Sequence, residues 1–190
     1  SGGNRVCADR AQSPRARRVH VTLTLHRVAK WKYAQEPVLL EHGYGAARYG
    51  SRWNSFDEVL RWDRRIIFAS DTLAQAMLEV LVHVEAEVLY SLQHGHVRFE
   101  VEEDEIAALD LTRLPPRWNA HPPTSASQVI GDQWYDEAVS PVLRVPSAIL
   151  PLEAYDEKHG NYLIHARHPR ILGAVRLIGV APLPMDPRLK

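Results

Sequence analysis

The amino-acid sequence predicts an α+β fold, a single domain with a mixed or antiparallel β-sheet core and flanking helices. Apolar and polar residues alternate from Val19 to Val28 and from His96 to Glu102, as in half-buried strands. Apolar residues at helical spacing predict an amphipathic helix over about Thr72 to Val84. Because strand patterns come in runs and do not alternate regularly with helices, α+β is favoured over a doubly wound parallel sheet.

Three further strands and two loops complete the predicted order. Short apolar, β-prone stretches predict strands from Ile66 to Ala69, from Val142 to Leu150 and from Gly173 to Val180. The glycine-containing segment from Glu36 to Asp57 is interpreted as a long ordered loop. Pro115 to Ser127, rich in Pro, Ser and Thr, is interpreted as a loop followed by a short helix. Long loops inside compact domains usually carry function.

The composition restricts the class of protein. The 190 residues are 45% hydrophobic, enough for one compact core. The 23 basic residues balance 23 acidic ones, which argues against direct nucleic-acid binding. Cys7 is the only cysteine, so a reducing compartment is favoured. Without a long apolar stretch or an apolar signal core, we expect a soluble cytoplasmic protein with no membrane contact.

The first residues predict a leader that precedes the folded domain. We expect residues 1–18 to be flexible and residues 19–190 to form the domain. Ser1-Gly2-Gly3 is typical of an expression remnant. The basic cluster Arg15-Ala16-Arg17-Arg18 is interpreted as part of the solvated leader rather than as a nucleic-acid arm.

Common nucleotide and metal motifs do not account for this chain. Gly43-Tyr44-Gly45-Ala46-Ala47-Arg48 lacks the third glycine of the dinucleotide-binding fingerprint, and no apolar strand immediately precedes it. Glu79 and His83 are four residues apart on the predicted helix, and His94-Gly95-His96 follows. No third strong ligand pattern accompanies them, so no metal is expected.

The most informative region carries a series of motifs in a fixed order. They are Arg48-Tyr49-Gly50-Ser51-Arg52-Trp53-Asn54, Leu78-Glu79-Val80-Leu81-Val82-His83, Gly131-Asp132-Gln133-Trp134, Leu143-Arg144-Val145-Pro146-Ser147 and Asn161-Tyr162-Leu163-Ile164. Together they resemble the RES domain, the toxin half of a bacterial toxin–antitoxin pair. The resemblance spans about Leu25 to Val180.

The resemblance implies a fold similar to ADP-ribosylating toxins and a site that binds NAD as substrate. The matching family positions are Arg27 at the end of the first strand, Arg52, Glu79 and Ser147. Phe68 stands where a tyrosine is usual, and His165-Ala166 stands where an Asn-Pro pair is usual. The family's usual partner is a helix-turn-helix antitoxin of the Xre type that covers the active site, and any DNA contact would belong to that partner.

The residue types suit cleavage of the bond between nicotinamide and ribose. This reaction passes through an oxocarbenium-like state, which the Glu79 carboxylate would stabilise while it accepts a hydrogen bond from ribose. The guanidinium groups of Arg27 and Arg52 match the paired oxygens of a pyrophosphate. ADP-ribose would then pass to water, to phosphate or to a protein side chain, and the sequence leaves these acceptors open.

Three further residues complete the predicted NAD site. Phe68 or Tyr49 would stack on nicotinamide, and Ser147 would donate a hydrogen bond to ribose or to Glu79. Structural alternatives remain open, in which Arg52 and Glu79 form an internal ion pair, Arg27 is a surface charge and Phe68 is a core residue. Two alternative functions also remain, a non-catalytic dinucleotide-binding module and a protein-interaction module.

Overall fold

The computed structural model describes residues 21–56, 59, 64–85, 92–155, 159–186 and 188–189. The predicted leader and Cys7 lie outside these residues. The described part is a seven-stranded mixed sheet with flanking helices, so the predicted α+β fold is confirmed. Among the described residues, no helix is both long enough and apolar enough to cross a membrane.

The sheet places its strands in an order that differs from their order in the chain. The strands are β1 Thr22–Lys30, β2 Ile66–Ser70, β3 His94–Glu102, β4 Ile106–Ala108, β5 Val142–Pro146, β6 Gly160–His165 and β7 Val175–Leu183. Their spatial order is β4-β5-β6-β2-β1-β3-β7. Neighbouring strands pair antiparallel except β4 and β5, which are parallel.

Two apolar clusters lie on the two faces of this sheet, as the alternation of side chains along a strand requires. In β2, Ile67 and Ala69 belong to one cluster, while Ile66 and Phe68 pack with the other. The helices that flank the sheet are α1 Trp31–Ala34, α2 Tyr44–Tyr49, α3 Leu73–Leu81, α4 Ser125–Asp136 and α5 Ile171–Ala174.

The helix predicted over Thr72 to Val84 is confirmed as α3 and is slightly shorter. Thr72 caps it, since its Oγ1 accepts a hydrogen bond from the Gln75 amide at 3.1 Å. The cap satisfies one of the amides that a helix leaves without an intrahelical partner at its first turn. The helix packs against β1 and β2, which fixes the face that carries Glu79.

The interpretation of Glu36 to Asp57 as a loop without regular elements is wrong for part of that segment. It contains a 3-10 turn, Leu39–Glu41, and helix α2. Gly43 begins the helix at φ 83°, and a Cβ there would lie 2.9 Å from the Ile66 backbone. Packing against the sheet therefore stabilises a six-residue helix that is too short to be stable alone.

Several other elements differ from the prediction in their bounds, and strand β6 was not predicted. Strand β5 ends at Pro146 instead of Leu150, and helix α4 is a 12-residue helix rather than a short one. Strand β6 was recognised from the sequence only as a motif. It lies between β5 and β2, so its residues are buried without the alternation that marks a half-exposed strand.

Candidate active site

The site lies where the sheet separates into two halves. Strands β1 and β2 pair at one position, His26 opposite Ser70, whereas β2 pairs with β6 along its length. A cavity of about 480 Å³ opens beside this junction, within the range of small-molecule sites. The predicted site residues that line it are Arg27, Arg52, Phe68 and Glu79.

Glu79 is held by one of its two carboxylate oxygens. Its Oε1 accepts hydrogen bonds from Ser147 Oγ at 2.7 Å and from Asn161 Nδ2 at 2.5 Å, with Gln75 Nε2 at 3.4 Å. No donor from the described residues reaches Oε2. The carboxylate therefore has a fixed orientation and one oxygen that is free to accept a hydrogen bond in the cavity.

Arg27 bridges the two halves of the sheet. Strand β1 continues to Lys30, so Arg27 lies within the strand rather than at its end. Its Nη1 donates to the Phe68 carbonyl at 2.9 Å, and its buried Nε has no partner among the described residues. Burial lowers the pKa of Arg27 to about 10, so the guanidinium stays charged near neutral pH. A surface charge at a strand end, one of the alternatives, is therefore wrong.

Arg52 is anchored by the loop before α4. Its Nη1 donates to the Trp118 carbonyl at 2.8 Å and to the Ala120 carbonyl at 2.9 Å. Burial lowers the pKa of Arg52, and the nearby Glu79 charge partly opposes that shift. Within the described residues, the two side chains make no hydrogen bond or ion pair to each other. The internal ion pair considered from the sequence is therefore not formed.

The other three predicted residues take different positions. Phe68 is half-buried, lines the cavity and packs at the edge of the second apolar cluster. Ser147 is buried and donates to Glu79, which is one of the two contacts expected for it. Tyr49 is 74% exposed and does not line the cavity. The structure thus brings Ser147 to Glu79, places Phe68 in the same cavity and leaves Tyr49 outside.

Two pairs of histidines, of which His26, His83 and His121 line the cavity, were not predicted. The rings of His26 and His96 stack at 5.1 Å and are joined by a 2.9 Å hydrogen bond between Nδ1 of His26 and Nε2 of His96. The rings of His83 and His121 lie 6.1 Å apart. The described residues contain no group of three or more side chains that could hold a metal ion. Both pairs join segments distant in the chain, so no local pattern indicates them.

Asn161 is the residue of the site that sequence reasoning missed although a signal was present. It begins the motif Asn161-Tyr162-Leu163-Ile164, from which the sequence predicts no role for this residue. Besides the bond to Glu79, its Oδ1 accepts a hydrogen bond from Ser70 Oγ at 2.7 Å. The available clue was a polar residue at the start of an otherwise apolar motif.

Comparison with known proteins agrees with the motifs. A family model described as the RES domain matches residues 24–186. The chain is 33% identical over 131 residues to Toxin Res of Photorhabdus laumondii, covering 69% of this chain and 78% of that protein. It is 31% identical over 150 residues to the Prs ADP-ribosylating toxin of Sphingobium sp. strain YBL2, covering 77% of this chain and 84% of that protein.

A solved structure supports the fold independently. The fold is similar to a chain in the crystal structure of the M. tuberculosis MbcT-MbcA toxin–antitoxin complex, with a TM-score of 0.64 and 18% identity. The match covers 90% of this chain and 87% of that chain, so it includes both halves of the sheet. The family model and the relatives above 30% identity show that the chain belongs to the RES domain family.

Proposed function

We propose that this protein is the toxin of a toxin–antitoxin pair and that it consumes NAD by cleaving the bond between nicotinamide and ribose. The observation that carries the proposal is the Glu79 carboxylate, fixed through Oε1 with Oε2 left free at a cavity that two arginines also line. The relative from Sphingobium sp., whose name is Prs ADP-ribosylating toxin, supports this class of reaction.

The residues present fit a dinucleotide substrate. Arg27 donates to the Phe68 carbonyl through Nη1, and its Nη2 makes no hydrogen bond in the described part of the chain, so it retains a donor for an anion. Arg52 uses Nη1 for two carbonyls, which holds its guanidinium in place while its other donors remain for a phosphate oxygen. Two guanidinium groups at one cavity match the two phosphates of NAD.

Glu79 would act on the transition state. As the nicotinamide leaves, positive charge develops on the ribose carbon and ring oxygen, and a fixed carboxylate stabilises it without having to reorganise. The free Oε2 would accept a hydrogen bond from a ribose hydroxyl and so fix the sugar relative to the charge. Phe68 would pack against the nicotinamide ring, and Ser147 would act through Glu79. Tyr49 has no part in this arrangement, because its side chain is exposed and outside the cavity.

The acceptor of ADP-ribose and the protein partner belong to the same proposal. Water, phosphate and a protein side chain remain the candidate acceptors. The similar MbcT-MbcA chain was solved as a toxin–antitoxin complex, which supports an antitoxin as partner of this chain. We expect this antitoxin to be of the Xre type and the pair to act in the cytoplasm.

The test is NAD consumption by purified wild type, Glu79→Gln and the control Glu103→Gln. Glu103 is exposed on the turn after β3, so its variant removes a carboxylate charge away from the cavity. Free nicotinamide and the ADP-ribose product are followed with and without phosphate. We expect Glu79→Gln to lower the rate about a hundredfold or more and the control to match wild type.

Each other outcome has a definite meaning. A Glu79→Gln variant as active as wild type would contradict the proposal. If wild type releases no nicotinamide, protein extract is added as a source of acceptors. If no nicotinamide is released with extract either, but calorimetry detects NAD binding, the protein would be a non-catalytic dinucleotide-binding module. A chain that NAD neither binds nor stabilises against heat would be an interaction module instead.

A further inference from the structure

Asn161 links Glu79 to the end of strand β2 because it donates a hydrogen bond to Glu79 and accepts one from Ser70. Its Nδ2 lies 2.5 Å from Glu79 Oε1, and its Oδ1 lies 2.7 Å from Ser70 Oγ. A carboxylate only accepts hydrogen bonds, so the amide must face Glu79 with its NH₂ group. The Ser70 hydroxyl donates to Oδ1 at the opposite end of the amide, so both ends are hydrogen-bonded in this orientation.

The backbone around Asn161 is held just as closely. Asp71 Oδ2 accepts from the Gly160 amide at 2.7 Å, and Asp71 Oδ1 accepts from the Tyr162 hydroxyl at 2.7 Å. Burial, together with the hydrogen bond to Asp71, raises the pKa of Tyr162, so its hydroxyl remains a donor. Two adjacent residues at the end of β2 therefore fix the three residues at the start of β6.

The contacts to Glu79 are one-sided. Asn161 and Ser147 approach the same oxygen from β6 and from the segment after β5. Both residues donate to Oε1, and no donor among the described residues contacts Oε2. The pair therefore fixes the plane of the carboxylate without occupying the oxygen that lies free for a ligand.

We propose that Asn161 is a positioning residue for Glu79, anchored at its Oδ1 by Ser70, and that it holds Oε1 so that Oε2 is presented to the reacting ribose. The inference rests on the proposed function of Glu79 and adds a residue and a mechanism to it. Asn161 also lines the cavity, where Glu79 accepts from one N–H of its amide and Ser70 donates to its Oδ1. In this proposal its effect on the reaction passes through Glu79.

Asn161→Asp and Asn161→Ala test this role. Aspartate keeps the shape of asparagine but turns an oxygen toward the carboxylate, whereas alanine only removes the donor. We expect Asn161→Ala to lower kcat about tenfold to a hundredfold, the loss of a charge-assisted hydrogen bond, and Asn161→Asp to lower it further. The dissociation constant of NAD should change less than about threefold in both variants, because Arg27 and Arg52 are untouched.

Gln93→Glu is the matched control for the added charge. Gln93 is exposed, precedes β3 and does not line the cavity, so its variant should retain wild-type kcat. Thermal melting of every variant separates loss of fold from loss of rate. An Asn161→Asp variant with wild-type kcat would overturn the inference. A variant in which kcat and NAD affinity fall by the same factor and the melting temperature falls as well would also overturn it, because this result indicates a merely structural residue.

A readout that needs no turnover separates this inference from the proposed function. The side-chain amide resonances of Asn161 should shift in Glu79→Gln and in Ser70→Ala, and remain unchanged in Gln93→Glu. If Glu79→Gln keeps full activity while those resonances shift, the proposed function fails and the contact itself remains. If Glu79→Gln is inactive while neither substitution moves the resonances, only the role of Asn161 fails.

Discussion

The buried imidazole of His165 predicts a measurable dependence of stability on pH. His165 lies at the end of β6 and stacks on Tyr135 with 3.6 Å between ring centroids. Its Nε2 donates to the Tyr135 carbonyl at 3.1 Å, and its Nδ1 accepts from the Arg167 amide at 3.1 Å. Both nitrogens are thus used by the neutral ring. Burial, then the charge of His168, lowers the pKa of His165 from 6.5 to about 4.

The direction of the effect follows from where the proton binds. Because the pKa is lower in the folded state, the unfolded chain binds more protons at acidic pH, and the contribution of neutral His165 to stability is lost as the pH falls below 6.5 toward 4. Between about pH 7.5 and about pH 5 this one group should cost about 2 kcal/mol of unfolding free energy.

The assay is urea unfolding of wild type and His165→Asn at both pH values. Asparagine removes the titratable ring and keeps an acceptor for the Arg167 amide. The difference in unfolding free energy between the two pH values should be about 2 kcal/mol smaller in His165→Asn than in wild type. Replacement of the exposed His159 by asparagine is the matched control. Equal pH dependence in wild type and His165→Asn would refute the reasoning.

Three more predictions concern packing and the site. Gly131→Ala should lower the unfolding free energy by about 1–3 kcal/mol in urea titrations, because a Cβ there would lie 1.8 Å from the Trp53 carbonyl oxygen. Arg27→Lys should weaken NAD binding at least about tenfold in calorimetry, because an ammonium lacks the fork that can hold the Phe68 carbonyl and a phosphate together. Ser147→Ala should lower kcat about tenfold with little change in NAD affinity, since its hydroxyl contacts Glu79; an unchanged kcat would remove that role.

Local pattern was sufficient to predict the elements that carry most of the site. The helical periodicity from Thr72 placed Glu79 beside the apolar face of α3, and the alternation along β1 placed Arg27 in a strand. Both features depend on residues a few positions apart, which is the range over which periodicity carries information. The motif order added Arg52 and Ser147, whose partners no local pattern specifies.

Contacts between distant segments could not be predicted in this way. Arg52 is held by carbonyls 66 and 68 residues along the chain, and His26 meets His96 across 70 residues. Helix α2 contains the good helix formers Ala46, Ala47 and Arg48, but six residues are too few for a helix that is stable alone, and Gly43 allows it to pack against the sheet. Such features follow from tertiary packing.

The division of the sheet explains why Arg27 is placed where it is. A fully paired β1 and β2 would close the space between them, and the backbone of β2 would then bond to the backbone of β1. Here the strands pair at His26 and Ser70, and the Phe68 carbonyl accepts from the Arg27 side chain instead. The guanidinium thus links the two halves of the sheet while it lines the cavity between them. The charge that links the two halves of the sheet is also the charge that a phosphate group would need, so under the proposed function the opening of the sheet and the binding of an anionic substrate would have one origin.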